Sequence, residues 1–249
     1  MDSALLAIYL TTVLFASYWQ SVTGFAMGMM LVAALSSLQL FSIPTVTAVV
    51  SLLSLANVCI ALRGRTHHVR RRLVGQIAIG LVPTVFVGVW LLSLLDGQAT
   101  WILELLLGAF ITLGSLSMVL RPDSLAEPSA TLPSVTAGVA AGAVGGMFSA
   151  SGPVLGWFMY LQPMPHSQIR ASLLACFALT TSTRSFVVGL AGGLTTDVLA
   201  AALIGFPVVA LGTWLGREYS PPLPDPILKR IAFAGLVAIG LWISIRALR

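Results

Sequence analysis

Two short stretches concentrate the polar chemistry that this chain sets among apolar residues: Ser21-Val22-Thr23-Gly24 and Ser149-Ala150-Ser151-Gly152. Each interrupts an apolar segment, and each ends in glycine. A helix restarting after such a glycine presents unpaired N–H groups and the positive end of its dipole, which together favour an anion. The hydroxyls of Ser21, Thr23, Ser149 and Ser151 can donate further hydrogen bonds to oxyanion oxygens, while Gly24 and Gly152 let a ligand approach the backbone. Two such tips facing each other suit a tetrahedral, multiply charged head group. The ordinary alternative is small-residue helix packing; recurrence of the pattern at equivalent mid-segment positions favours the site.

Other residues join this chemistry by position. Arg184 is a cation inside an apolar run, so it is a candidate for binding or steering an anion, although it lies close enough to its helix end to snorkel outward. Asn57 holds a near-equivalent position in the first half. Trp19, Phe25, Phe148 and Trp157 flank the two breaks and could sandwich an aromatic or alkyl part of the substrate; lipid-facing or belt positions are the competing reading. Catalysis lacks its parts. His67, His68 and His166 lie in loops, so a serine in the membrane has no base, and no HExxH, acidic metal-binding pair or CxxC is present. No catalytic residue, metal site or cofactor is expected. Without a carboxylate or histidine at the membrane centre, a proton relay is not evident either.

The elements that must hold these residues are membrane helices. Of 249 residues, 57% are hydrophobic and 8% charged, against about 25% charged in soluble domains. The surplus of Lys and Arg has no soluble face to sit on, so it sets topology rather than binding nucleic acid. Cys59 and Cys176 lie in apolar runs and are expected to pack. Met1-Asp2-Ser3 lacks the positive region of a secretory signal, so the first apolar stretch is expected to stay in the mature protein. Runs long enough to cross about 30 Å of hydrocarbon fall near 43–62, 73–95, 101–120, 169–190, 196–216 and 226–247, and two interrupted segments near 4–38 and 134–161 read as broken helices.

The chain also repeats itself. Ser21 to Gly28 matches Ser149 to Gly156, Pro83 to Gly88 matches Pro207 to Gly212, and Gly114 matches Gly240, in one order and at nearly one offset. Duplication is the natural cause, with units over 1–122 and 132–249 and a cytoplasmic linker over 123–131. If the broken helices are re-entrant hairpins, Arg63, Arg65, Arg70, Arg71, Arg72, Arg121, Arg170, Arg217, Lys229 and Arg230 all fall inside, leaving only Arg246 and Arg249 outside, as the positive-inside rule requires. The expected fold is therefore an all-α polytopic membrane protein of two inverted repeats, each a broken re-entrant hairpin plus three transmembrane helices, with both termini periplasmic. That is a secondary-transporter architecture. An anion channel is the nearest alternative, and an intramembrane enzyme a more distant one.

At these residues the chain resembles the sulfite exporter TauE/SafE family, also called the toluene sulfonate uptake permease family. The resemblance covers nearly the whole chain and rests on Thr23-Gly24-Phe25-Ala26-Met27-Gly28, on Gly145-Gly146-Met147-Phe148-Ser149-Ala150-Ser151-Gly152-Pro153, and on Arg170 in His166-Ser167-Gln168-Ile169-Arg170-Ala171. Ser21 and Met27 stand where the family would have glycine. The resemblance implies transport of sulfite, sulfonates, sulfoacetate or related sulfur compounds across the bacterial inner membrane. The expected partners are a small sulfur oxyanion or organosulfonate and the lipid bilayer, with a homodimer compatible and no nucleic acid.

Overall fold

Hydrocarbon offers no partner to backbone N–H and C=O groups, so an apolar chain that enters it must satisfy them within helices. The computed structural model describes residues 3–37, 42–119, 124–219 and 225–248, and the described regular structure is helical with no strand. The helices are α1 (Ser3–Thr23), α2 (Met27–Ser37), α3 (Ile43–Leu62), α4 (Arg71–Gln98), α5 (Thr100–Val119), α6 (Thr131–Phe148), α7 (Gly152–Leu161), α8 (His166–Leu190), α9 (Thr196–Glu218) and α10 (Asp225–Ala247). Seven of them are long and apolar enough to cross a membrane. The chain is thus an all-α, multi-pass membrane protein.

The two broken segments divide unequally. The first members, α1 of 21 residues and α6 of 18, are each long enough to span, whereas α2 and α7 have only 11 and 10. The breaks therefore lie past the centre of each segment. The second helix restarts at Gly152 itself, but the first restarts at Met27, beyond Gly24 rather than directly after it.

Glycine seams set the helix directions. Along α4 and α6, Gly138 lies against Ile77, Gly80 against Val135 and Val139, Gly142 against Leu81, and Gly146 against Val85 and Gly88, so the two helices run parallel. A methyl group at any of these glycines would meet the opposing backbone, which is the usual basis of such close crossings. In the same way α1 runs parallel to α9, with Tyr9 Oη donating to the Ala201 carbonyl at 2.7 Å and Tyr18 Oη donating to the Tyr219 carbonyl at 3.0 Å. The pair α7 returns to where α6 began: the Leu125 N–H donates to the Leu161 carbonyl at 2.8 Å and the Ser129 N–H to Gln162 Oε1 at 2.9 Å. Segment α6–α7 is a hairpin, not one interrupted crossing.

Arginines gather at one end of this bundle. Arg217 donates to the carbonyls of Ile60 and Arg63 at the end of α3, and Arg70 donates to Gln168 at the start of α8. Arg63, Arg65, Arg70, Arg71, Arg72, Arg170 and Arg217 share that end, while Arg246 pairs with Glu104 at 3.1 Å at the other. Arg121 and Arg249, and the side chains of Lys229 and Arg230, lie outside the described residues. The outer surface is apolar: Ile79, Trp90, Leu113, Leu203 and Trp214 are more than half exposed, whereas Gln20, Ser51, Asn57, Arg184 and Thr213 are buried. Cys176 is buried as expected, but Cys59 is exposed and does not pack.

Candidate functional site

The two breaks meet inside the bundle. Gly28 touches the Ser149 carbonyl and the Ala150 backbone, and Gly152 lies against Phe25 and the Ala26 N–H. Around this contact is a narrow cavity lined by Gln20, Ala26, Gly28 and Met29 from the α1–α2 segment and by Ser149 to Gly152 from the α6–α7 hairpin; Ser54 of α3 and Phe177, Thr180 and Thr181 of α8 close it. It has room for little more than a water molecule. Among the described residues, no carboxylate lines it.

Both breaks carry non-glycine residues with positive φ, Ala26 at 94° and Ser149 at 55°. Such backbone is disfavoured for residues bearing a Cβ and persists where surrounding structure imposes it, a pattern that clusters at functional sites. Here it turns two helix N-termini onto one cavity. At α7 the first helical bond is Leu155 N–H to the Ser151 carbonyl, Ser151 makes no side-chain cap bond, and Pro153 has no N–H, so Gly152 and Val154 carry the open donors. At α2 the Met27 N–H donates to Gln20 Oε1 at 3.1 Å and the Met30 N–H to the Ala26 carbonyl. The N–H groups of Gly28 and Met29 remain at that tip.

Hydroxyl donors are fewer than the lining suggests. Thr180 and Thr181 donate to the Cys176 and Phe177 carbonyls of their own helix, at 2.9 and 2.7 Å. Their protons are committed. Ser54 Oγ is buried and has no partner among the described residues, so Ser54 and Ser151 are free hydroxyl donors, and Ser149 joins them when Ser51 is the donor in the 2.8 Å bond between the two serines.

Behind the tips lie two buried anchors at matching positions. Arg184 is fully buried and makes four hydrogen bonds: Nε to the Gly146 carbonyl at 2.8 Å, Nη1 to the Thr47 carbonyl at 2.8 Å and Ser51 Oγ at 2.7 Å, and Nη2 to Thr47 Oγ1 at 2.7 Å. It does not snorkel. Ser51 Oγ lies 2.8 Å from Ser149 Oγ, so a chain of hydrogen bonds joins the guanidinium to the cavity. Asn57 sits 127 residues earlier in the chain. Its Nδ2 donates to the Ser17 carbonyl at 3.1 Å and to Thr213 Oγ1 at 2.7 Å, and its Oδ1 accepts from Gln20 Nε2 at 2.8 Å. Each anchor thus holds a carbonyl near the C-terminal end of its own hairpin's first helix.

Of the residues singled out in the sequence, Ser149, Ser151 and Gly152 line the cavity and Phe25 borders it. Arg184 and Asn57 stand one layer back. Ser21 does not reach the cavity: it is buried against Gly216 of α9 with its hydroxyl unpartnered. Gly24, with φ of 86°, packs on Arg170 instead. Trp19 stacks on Phe15 and Phe148 on Phe110, while Trp157 is 45% exposed on the outside; none of the three lines the cavity. The Thr23 side chain lies outside the described residues. Ser54 and Phe177 carry no sequence signal, since each sits in an uninterrupted apolar helix, and Met29, just past the first break, is an apolar residue without the hydroxyl or glycine character that marks its neighbours.

Two discontinuous helices meeting inside a polytopic bundle are the hallmark of secondary transporters. Residues 9–243 match the family described as sulfite exporter TauE/SafE, and the chain belongs to that family. It is a membrane transporter and not an enzyme. The chain is 40% identical, over 232 residues, to the protein of Cupriavidus necator named probable sulfite/organosulfonate exporter TauE, covering 93% of this chain and 91% of that one. It is 27% identical over 179 residues to the probable inner membrane transporter protein TsaS of Comamonas testosteroni, covering 70% and 72% respectively. No solved structure gives a significant match.

Proposed function

We propose that this protein is a secondary transporter of the bacterial inner membrane for sulfur oxyanions, sulfite or organosulfonates, bound where the tips of α2 and α7 meet and moved by alternating access. The observation that carries this reading is the convergence of two helix N-termini on a cavity free of carboxylates, with Arg184 linked to it through Ser51 and Ser149. Two helix ends supply about half a positive charge each, and a buried guanidinium supplies a full one. Opposite hairpins, parallel α4–α6 and α1–α9 pairs, and matching anchors at Asn57 and Arg184 support two inverted repeats over 1–122 and 132–249. The gathering of arginines at one end supports a cytoplasmic placement of that end, which puts both termini in the periplasm. The names of the two relatives support the sulfur chemistry.

A cavity of this size cannot hold a sulfonate, so the conformation described is closed and binding requires the tips to separate. The test is transport by the purified protein in liposomes together with thermal stabilisation by sulfite, sulfate, taurine and an aryl sulfonate. Saturable flux of at least one sulfur anion and stabilisation by the same anion are the expected results, and the same flux assay reads the direction of movement. Non-saturating conductance identifies a channel. Indifference to every sulfur anion removes the substrate class.

A further inference from the structure

A groove separate from the cavity opens at the Arg-rich end. It is about 650 Å³ in volume and is lined by Arg70, Arg71 and Arg72 at the start of α4, by Pro128 to Thr131 at the start of α6, and by Gln162 to Met164 in the α7–α8 turn. No carboxylate is among its lining residues within the described chain; Glu127 is exposed beside it. Arg70 is held by Gln168 at 2.7 Å, while Arg71 and Arg72 are exposed and form no ion pair among the described residues. The parallel helices α4 and α6 both begin here, and neither has a side-chain cap.

The groove is amphipathic. Below the arginines, Gln76 Nε2 donates to Thr131 Oγ1 at 2.9 Å and closes the floor. Past that bond the α4–α6 surface turns apolar at once, with Leu132 73%, Ile79 64% and Val139 43% exposed. Leu73, Pro163 and Met164 line the transition. A soluble anion would use the arginines and leave this apolar surface bare. A lipid uses both.

We propose that this groove binds the phosphate headgroup of an anionic phospholipid of the inner leaflet, with Arg71 and Arg72 on the phosphate and the acyl chains along Ile79, Leu132 and Val139. Basic pockets at the cytoplasmic ends of membrane helices recognise such headgroups, each Arg contributing about 1 kcal/mol. A diphosphate lipid, diphosphatidylglycerol, fills the site better than a singly charged one.

The experiment uses the full chain purified in detergent. Native mass spectrometry counts bound lipids, and thermal unfolding is followed with diphosphatidylglycerol, phosphatidylglycerol, phosphatidylcholine or inorganic phosphate added. Wild type should be stabilised by the anionic lipids, most by diphosphatidylglycerol, and not by phosphatidylcholine. The double variant Arg71→Gln/Arg72→Gln should bind diphosphatidylglycerol about thirtyfold more weakly, while Arg63→Gln, a loss of charge at the same end outside the groove, should bind it as wild type does. Equal stabilisation by phosphatidylcholine, or undiminished binding by the double variant, overturns the proposal. Stabilisation by inorganic phosphate alone makes this a soluble-anion site and overturns it too. If the double variant does not fold, the ranking of lipids on wild type decides.

Discussion

Replacing Arg184 by Gln tests whether the buried charge acts on the ligand or only holds helices. An anion accepting a hydrogen bond from Ser149 Oγ lies no farther than about 8 Å from Arg184 Nη1 along the bonded path through Ser51, allowing about 2.8 Å for the last bond. At an effective dielectric constant of about 20, a unit charge at that distance contributes about 2 kcal/mol. Affinity for a singly charged sulfonate should fall about thirtyfold in Arg184→Gln, and the loss for a doubly charged anion should be the square of that factor. Stability should change less than a count of bonds suggests. The variant loses charge-assisted bonds to Gly146, Thr47 and Ser51, but it also relieves the desolvation of an ion held at 0% exposure without a carboxylate. Ser51→Ala serves as companion, because it cuts the path while leaving the charge in place. Binding is read by titration calorimetry on folded protein with a sulfonate and a dianion compared at equal ionic strength. A folded Arg184→Gln protein with unchanged affinity, or with equal losses for the two anions, would falsify the electrostatic reasoning.

Four further substitutions separate site from scaffold. Ser54→Ala and Ser21→Ala each remove a buried hydroxyl without a partner, so both should gain on the order of 1 kcal/mol of stability; only Ser54→Ala should weaken anion binding, by about tenfold for one lost bond to a charged group, and equal affinities in the two variants would place Ser54 with the packing residues. Gly28→Ala drives a methyl group into the Ser149 carbonyl and should lower the unfolding free energy of the closed form by about 2 kcal/mol, measurable as a lower thermal midpoint; an unchanged midpoint means the tips are not in contact. Asn57→Leu strips three bonds from Gln20, Ser17 and Thr213 and should destabilise by about 3 kcal/mol, with proteolytic susceptibility rising in α1 and α2 first.

The spans were legible because hydrophobic length alone defines them: the run at 43–62 is the helix Ile43–Leu62, and the run at 196–216 begins Thr196–Glu218. The breaks were legible for the same reason in reverse, since Ser149-Ala150-Ser151 cannot continue an apolar helix cheaply. What was not legible is azimuth. Consecutive residues of a helix point about 100° apart, so Gln20 faces the cavity while Ser21 faces Gly216, and nothing in the local sequence chooses between them. The choice is made by α9, whose glycines admit α1 at the Ser21 face. Ser54 and Phe177 were hidden differently. Each belongs to a helix of uniform apolarity, and only the arrival of the two tips from elsewhere turns that helix face into a lining.

The anchors behind the tips carry the last step. Arg184 and Asn57 occupy corresponding positions, and each holds the end of the long helix of its hairpin, yet one brings a charge and the other does not. If both were structural, a neutral pair would suffice, because an uncompensated guanidinium in a membrane interior is expensive to retain. The α2 and α7 tips supply two dipole ends of equal sign, and the single arginine raises the positive potential on one side only. An anion bound as proposed is then drawn to the Ser149–Ser51 side of the cavity, while Gln20 on the other side already occupies the Met27 N–H with its own Oε1. Until Gln20 lets go, that side offers the anion only the N–H groups of Gly28 and Met29. The two tips, alike in sequence, therefore differ in readiness: no side chain caps the α7 tip, whereas Gln20 caps the α2 tip at Met27. If the tips bind the anion as proposed, this difference predicts an order of binding, first to α7 and then across to α2 as Gln20 is displaced from Met27.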